Sequence, residues 1–428
     1  MGEGKRPFGF WTAAALVVGG MIGSGIFVLP AQLAPFGWTG VAAWVCAIAA
    51  AALLATVLAA LAKEMPEETG AVAICARALG PLPGVLVGWA YWVGVWCANA
   101  VIALTAVRYL GVFWPAMTAT ALSGALWAVA LIWLLTALNL QGARAAGNFQ
   151  LVTTALKLLP LIAVVAILAG LALSGGKQFG AEAHAPFAAA QLTPAITLAF
   201  FALVGFEGAS VAAERVRDPA RNVVRATLAG LGLTALLYLI ICSGIVFAMP
   251  PAVVAAAQAP IALFVAHYGG AAAGYAVAGF AAVAAIGCLN GWVLLQGEVP
   301  LGMSKAGLLP RWVAVTNKRD VPVGVLIAAS TLASLLVLSN ATRSAGGLLD
   351  FMLRLTTAAT LWLYVGGCLA AIRLDVARPV AVLGLGFALW VLWGSGLEAV
   401  LLSIGLMLTA VPLYFLAVRR GAVERVAS

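Results

Sequence analysis

Met21-Ile22-Gly23-Ser24-Gly25-Ile26-Phe27 interrupts an apolar stretch that runs from about Phe8 to Leu33. The stretch is long enough to cross a bilayer, yet two glycines flanking a serine are poor helix formers. A spanning helix that breaks must satisfy its freed backbone groups inside protein or against a water-filled cavity. The stretch therefore predicts an unwound segment at mid-membrane, whose N–H groups and helix N-terminus suit an anionic group such as a carboxylate. The same small residues also suit close helix packing. On this stretch alone the two readings stand level.

Composition sets the compartment. Hydrophobic residues make up 64% of the 428 positions and charged residues 9%, and the mean hydropathy is +1.10. These values describe an integral membrane protein. The first apolar stretch shows no small-residue cleavage site and runs on into further spans, so it reads as a retained helix. The cysteines (Cys46, Cys75, Cys97, Cys242, Cys288, Cys368) are scattered without metal or disulfide spacing, and the histidines are His184 and His267 alone. No metal, no cofactor and no Ser/His/Asp or Cys/His catalytic set is expected. The net charge of +9 follows membrane topology, so no nucleic-acid partner is inferred.

Hydropathy gives twelve spans, at about 9–33, 39–62, 83–107, 119–140, 150–173, 191–213, 226–249, 272–298, 322–339, 351–372, 379–395 and 397–417. Residues 260–267 read as a short helix on the outer side. With the N-terminus inside, the cytoplasmic connections carry Lys5, Arg6, Lys63, Arg77, Arg144, Arg215, Arg217, Arg221, Arg225, Lys305, Arg311, Lys318, Arg319, Arg373, Arg378, Arg419, Arg420 and Arg425. The outside keeps Arg108, Lys177 and Arg343, while Lys157 and Arg354 fall within spans. This asymmetry places both termini in the cytoplasm. Residues 63–83 and 302–322 read as amphipathic connections over the inner mouth, and Arg215 to Asn222 as a basic loop capping the next helix.

Span 6 repeats the anomaly of span 1. It reads Phe200-Phe201-Ala202-Leu203-Val204-Gly205-Phe206-Glu207-Gly208-Ala209-Ser210, with glycines bracketing a carboxylate at membrane depth. Spans 1 and 6 occupy corresponding positions in two five-span halves, which points to an inverted-repeat transporter and to its binding site. The expected architecture is a single all-α membrane domain over 1–428, with repeat one at about 9–173 and repeat two at about 191–372. Two appended helices follow at about 379–417.

In order along the chain stand Gly23-Ser24-Gly25-Ile26 with Leu29-Pro30-Ala31, Pro66…Thr69-Gly70-Ala71…Ala76-Arg77…Gly80-Pro81, and Tyr91-Trp92…Trp96…Asn99. Then come Gly205…Glu207…Ala209-Ser210-Val211-Ala212-Ala213, Asp218-Pro219…Arg221-Asn222 and Gly287-Cys288-Leu289…Gly291-Trp292. In these motifs the whole chain resembles the amino acid–polyamine–organocation (APC) transporter superfamily, and within it the bacterial arginine/agmatine and ornithine/putrescine antiporters. The resemblance implies a leucine-transporter-like five-plus-five core with helices 1 and 6 broken.

It further implies that Ile22, Gly23, Ser24 and Gly25 hold a substrate carboxylate, while backbone groups near Gly205 take the α-amino group. Asn99 would meet the distal end of a cationic substrate, Trp292 would line its aliphatic part, and Thr356 would face it. Tyr91, Glu207 and Tyr364 would form an inner gate, with Glu207 linked to protons. Two positions depart from that branch. Phe201 stands where a tryptophan covers the guanidinium and is a weaker cation–π partner. Lys157 resembles instead the lysine that proton-coupled and neutral amino-acid members place where others bind sodium.

Ionisable groups at membrane depth are costly and mark function by default. Glu207 suits exchange of a proton against a cation. The ammonium of Lys157 suits the unpaired carbonyls of the first broken helix. Glu298 sits near the inner end of span 8, Asp350 and Arg354 are spaced to pair on one helix face, and Arg108 reads as an anchor at the outer end of span 3. The expected function is alternating-access exchange or proton-linked movement of a cationic amino acid or its polyamine product across a bacterial inner membrane. Lipid surrounds the protein, and a homodimer is left open. Proton-coupled uptake or exchange of neutral amino acids is the alternative, and a sensor that keeps the fold without transport is a third.

Overall fold

The computed structural model describes residues 9–65, 68, 70–142, 156–177, 179, 183–207, 218–339 and 341–419. Arg144, the loop residues Arg215 and Arg217, Pro66, Thr69 and both charged termini lie outside the described residues, as do 150–155 of the expected fifth span. Among the described residues the chain is helical and contains no strand.

The first span is two helices, α1 (Phe10–Met21) and α2 (Ser24–Leu33), separated at Ile22 and Gly23. Next come α3 (Trp38–Glu64), α4 (Ala71–Leu79), α5 (Pro81–Leu110), α6 (Ala121–Leu140) and α7 (Leu158–Leu173). The second half follows with α8 (Ala189–Leu203), α9 (Pro219–Ala248), α10 (Pro251–Ala256), α11 (Pro260–Gly269), α12 (Ala271–Lys305), α13 (Val323–Ser339) and α14 (Ala345–Arg373). Last are α15 (Arg378–Gly394), α16 (Leu397–Leu408) and α17 (Ala410–Arg419). Seven of these stretches are long and apolar enough to cross a membrane, and shorter apolar helices supply the rest.

Several boundaries differ from the hydropathy reading for local reasons. α12 continues through the buried Pro300 to Lys305, so its 35 residues extend roughly 50 Å and carry it beyond the apolar layer. α14 starts earlier than its apolar run because Ser344 caps it, with Oγ accepting the Gly347 N–H at 3.1 Å. Asp218 stands at the N-cap of α9 without a side-chain cap, and its carbonyl accepts the Arg221 and Asn222 N–H groups. The helix expected at 260–267 is α11, so His267 lies in its last turn.

Packing sorts the helices into two groups. α1, α2, α3, α8 and α9 pack on one another, and α5, α6, α12 and α13 form a second set, with α14 against α5 and α8. The groups meet where α2 approaches α5 and α12. α5 is almost wholly enclosed by protein, whereas α6 and α16–α17 turn most of their surface outwards, in keeping with exposed Leu134, Leu401 and Leu408 facing lipid. A small separate core of Ala76, Val85, Met303, Leu308, Leu309, Val313 and Ala410 closes one end. That end carries Lys63, Arg77, Lys305 and Arg311 and is called the basic end below.

Candidate functional site

The breaks in α1–α2 and after α8 lie side by side at the centre of the molecule. Gly25 has no room for a side chain, because a Cβ there would lie 2.5 Å from Ala202 Cβ on α8. Gly205 adopts φ +110, a left-handed conformation that other residues rarely take, and it packs against the Gly20 carbonyl. Close packing and helix interruption therefore come from the same glycines.

At the first break, α1 stops with its last carbonyls unpaired in the helix. Lys157, 1% exposed and immediately before α7, donates from Nζ to Gly19 O at 2.8 Å and to Ile22 O at 3.2 Å. The Tyr238 hydroxyl of α9 donates to Met21 O at 2.6 Å. The second break carries the opposite charge. Glu207, 2% exposed, accepts the Gly205 N–H at 3.1 Å, the Tyr91 hydroxyl at 3.1 Å and the Tyr364 hydroxyl at 2.9 Å. Tyr91 comes from α5 and Tyr364 from α14, so this carboxylate ties three helices together. The Phe206 ring stacks on Tyr364 at 5.1 Å.

Between the breaks lies a cavity of ≈ 20 Å³ lined by Gly20, Met21, Gly23, Ser24, Gly25, Ala98, Ile102, Phe201, Ala202, Val204, Cys288, Trp292 and Thr356. It has room for about one water, and no charged side chain lines it. Thr356 Oγ1 is buried there without a hydrogen-bond partner. Cys288 packs against the first break, where a Cβ on Gly23 would lie 2.6 Å from its Sγ. A larger cavity of ≈ 490 Å³ opens at the basic end, lined by Tyr91, Glu207, Leu295, Glu298 and Lys305 with residues 70–73. The opposite end holds a crevice of ≈ 470 Å³ between α5, α11 and α12, with Arg108 and Tyr275 in its walls. Neither shares a lining residue with the central cavity.

The structure thus brings Gly23, Ser24, Gly25, Phe201, Trp292 and Thr356 around one cavity, with Lys157 behind the first break and Glu207, Tyr91 and Tyr364 below the second. Three expected residues sit differently. Asn99 follows Ala98 by about 100° around α5, off the cavity wall, where its Nδ2 donates to Gln296 Oε1 at 2.7 Å. The Ile22 side chain is buried away from the cavity, and this residue offers its carbonyl to Lys157 instead. The Gly205 N–H is engaged by Glu207, while Val204 provides the cavity wall.

Tyr238, Cys288 and Gln296 were not singled out from the sequence. Each is a polar tip in an apolar span, and such a group must find a partner when buried. That signal was present but did not indicate which partner. Asp350 and Arg354 pair on one face of α14 at 2.8 Å.

A small central cavity between two interrupted helices, with a larger cavity towards each end, suits alternating access. Residues 8–421 match the sequence profile of the family described as Amino acid permease. The chain belongs to the amino acid permease family. It is an integral membrane transporter and not an enzyme.

Relatives cover nearly the same length. The permease is 29% identical to a cadaverine/lysine antiporter of Escherichia coli K12 over 409 residues, covering 91% of this chain and 90% of that one. It is 31% identical to a putative arginine/ornithine antiporter of Bacillus subtilis, covering 84% and 82%. It is 25% identical to the putrescine transporter PotE of Haemophilus influenzae, covering 94% of both chains.

Proposed function

We propose that this permease exchanges a cationic amino acid against a polyamine at the cavity between the two breaks. The observation that carries the reading is Glu207, a buried carboxylate held by Tyr91 and Tyr364 between the central cavity and the basic-end opening. The substrate carboxylate would sit on the N–H groups of Ser24 and Gly25 at the start of α2, the Gly23 N–H being taken by Met21 O at 2.8 Å. Its aliphatic and cationic portion would run between Phe201 and Trp292, whose ring faces attract a cation, with Thr356 Oγ1 as an acceptor. Tyr91, Glu207 and Tyr364 would form the gate towards the basic end, and a proton on Glu207 would compete with the cation. The names of the relatives, which include lysine, cadaverine, arginine, ornithine and putrescine, agree with this substrate class.

In the same reading the chain forms one domain of two inverted five-span repeats, at about 9–173 and 191–372, with α15 to α17 appended. It lies in a bacterial inner membrane with the basic end and both termini in the cytoplasm. A central cavity of ≈ 20 Å³ is far below the ~300 Å³ at which ligand pockets begin. Admitting substrate therefore requires the α1–α2/α8 group to move against the α5/α12 group.

A second reading, transport of neutral amino acids, is favoured by Lys157 on the first break and by Phe201 in place of a larger aromatic ring. Counterflow in proteoliposomes separates the two. Vesicles loaded with one unlabelled substrate are offered labelled lysine, cadaverine, arginine, ornithine, putrescine, alanine or leucine in separate reactions. Accumulation of the cations alone supports the proposal. Accumulation of alanine or leucine without the cations assigns the site to neutral substrates.

A further inference from the structure

At the basic end, away from both breaks, a small cavity of ≈ 20 Å³ is lined by Asn139, Leu294, Gly297, Glu298, Asp320, Val321, Pro322 and Leu326. Asn139 is 1% exposed. Its Nδ2 donates to Leu135 O at 2.8 Å and to Asn290 Oδ1 at 3.0 Å. Both partners are oxygen acceptors, so reversing the amide would set oxygen against a backbone carbonyl. The orientation is therefore fixed, and the atom left over is Oδ1, buried without a partner. An orphaned buried acceptor calls for a donor.

The other polar lining side chains are carboxylates. Asp320 stands in a tight turn, with φ 57, stapled by Asn317. There Asn317 Oδ1 accepts the Arg319 and Val321 N–H groups at 2.8 and 3.1 Å, and Asn317 N donates to Val321 O at 3.0 Å. The neighbouring Arg319 guanidinium is directed to Gln141 O at 3.3 Å. Glu298 also lines the ≈ 490 Å³ opening that reaches Glu207. One carboxylate thus borders both spaces. The orphaned Asn139 Oδ1 and the Asp320 carboxylate around the volume of a single small body favour a compact cation that can donate hydrogen bonds.

We propose that Asn139 and Asp320 form a subsite for a primary ammonium group at the basic-end mouth, bordered by Glu298 and separate from the central cavity. The subsite rests on the amine-transport reading for the source of that group. It gives the amine end of a substrate a first hold before it passes Glu298 towards Glu207.

Thermal unfolding of the purified permease in lipid nanodiscs is measured with methylammonium, tetramethylammonium and sodium chlorides at equal ionic strength. Methylammonium should raise the midpoint and tetramethylammonium, which has no N–H, should not. Asn139→Leu and, on the surface turn, Asp320→Asn should each abolish the methylammonium shift. In oriented proteoliposomes Asp320→Asn should raise the KM for a diamine offered at the basic end about tenfold, one lost charge-assisted contact, with the KM at the other face unchanged. An equal shift with sodium makes this an inorganic cation site and overturns the proposal. So does a methylammonium shift that survives both variants, or no shift in any salt, which leaves a water cavity. Absence of amine exchange by the wild type with the methylammonium shift intact would instead discard the amine-exchange reading and keep the subsite.

Discussion

The two interrupted helices solve the same problem with opposite charges. Where α1 ends, carbonyl oxygens are freed, and the groups that meet them are donors: the ammonium of Lys157 and the hydroxyl of Tyr238. Where α8 ends, the Gly205 N–H is freed, and the group that meets it is the Glu207 carboxylate. The first break has its donors sealed behind it, with Lys157 among the largest fully buried side chains. The second has its acceptor facing the basic-end opening. A buried partner that only satisfies backbone is a structural device. One that borders a solvent-filled path can also change its protonation or partners.

The contrast is broken most sharply at Lys157. Lys157→Met should leave two buried carbonyls without donors, at ~1–3 kcal/mol each. The expected result is a fall in the thermal midpoint by fluorescence-detected size exclusion together with loss of transport. Tyr238→Phe removes one bond and should cost about half as much. Preserved stability in Lys157→Met would show that the first break does not need its ammonium.

Gly25→Val tests whether the two breaks must touch. The side chain would drive into Ala202, and overpacking of this kind costs ~1–3 kcal/mol. Transport should fall by more than expression does.

Glu207→Gln keeps the size of the side chain and an oxygen that can accept the Tyr364 hydroxyl. It should fold with a midpoint close to wild type yet lose most exchange of cations, the reverse of the Lys157→Met pattern. Next in size, Tyr364→Phe and Tyr91→Phe each remove one hydrogen bond to Glu207, at ~1 kcal/mol. Each should alter the rate of exchange severalfold while leaving the fold intact. The smallest effect is expected from Phe201→Trp, which offers a better cation–π face. It should lower the KM for lysine about two- to fivefold, since exposed cation–π gains are ~0.5–1 kcal/mol.

Much of the fold was legible because membrane spans declare themselves by hydropathy, and because Gly23, Gly25 and Gly205 lie where a helix has no other reason to fail. The limits of α12 and α14 were not, since Pro300 is tolerated in a buried helix and the Ser344 cap lies outside the apolar run. At the site, Lys157 and Glu207 stood out as polar groups in apolar surroundings, whereas Thr356 was pointed to only by the family resemblance. Asn99 stood out equally, but a one-residue step on α5 turns it to Gln296, and sequence does not give the rotation of a helix against its neighbours. Tyr238 was hidden for a related reason. Its hydroxyl finds Met21 O across a distance of 217 residues in sequence, and only the fold brings them together.

The central claim is that Glu207 links proton and cation at the second break. It is tested most directly by lysine exchange per folded molecule at an acidic and a neutral pH, in wild type and Glu207→Gln. The account predicts that wild-type exchange changes with pH, and that the small residual exchange of the variant does not. Identical pH dependence in the two proteins, or full exchange by the variant, would contradict it.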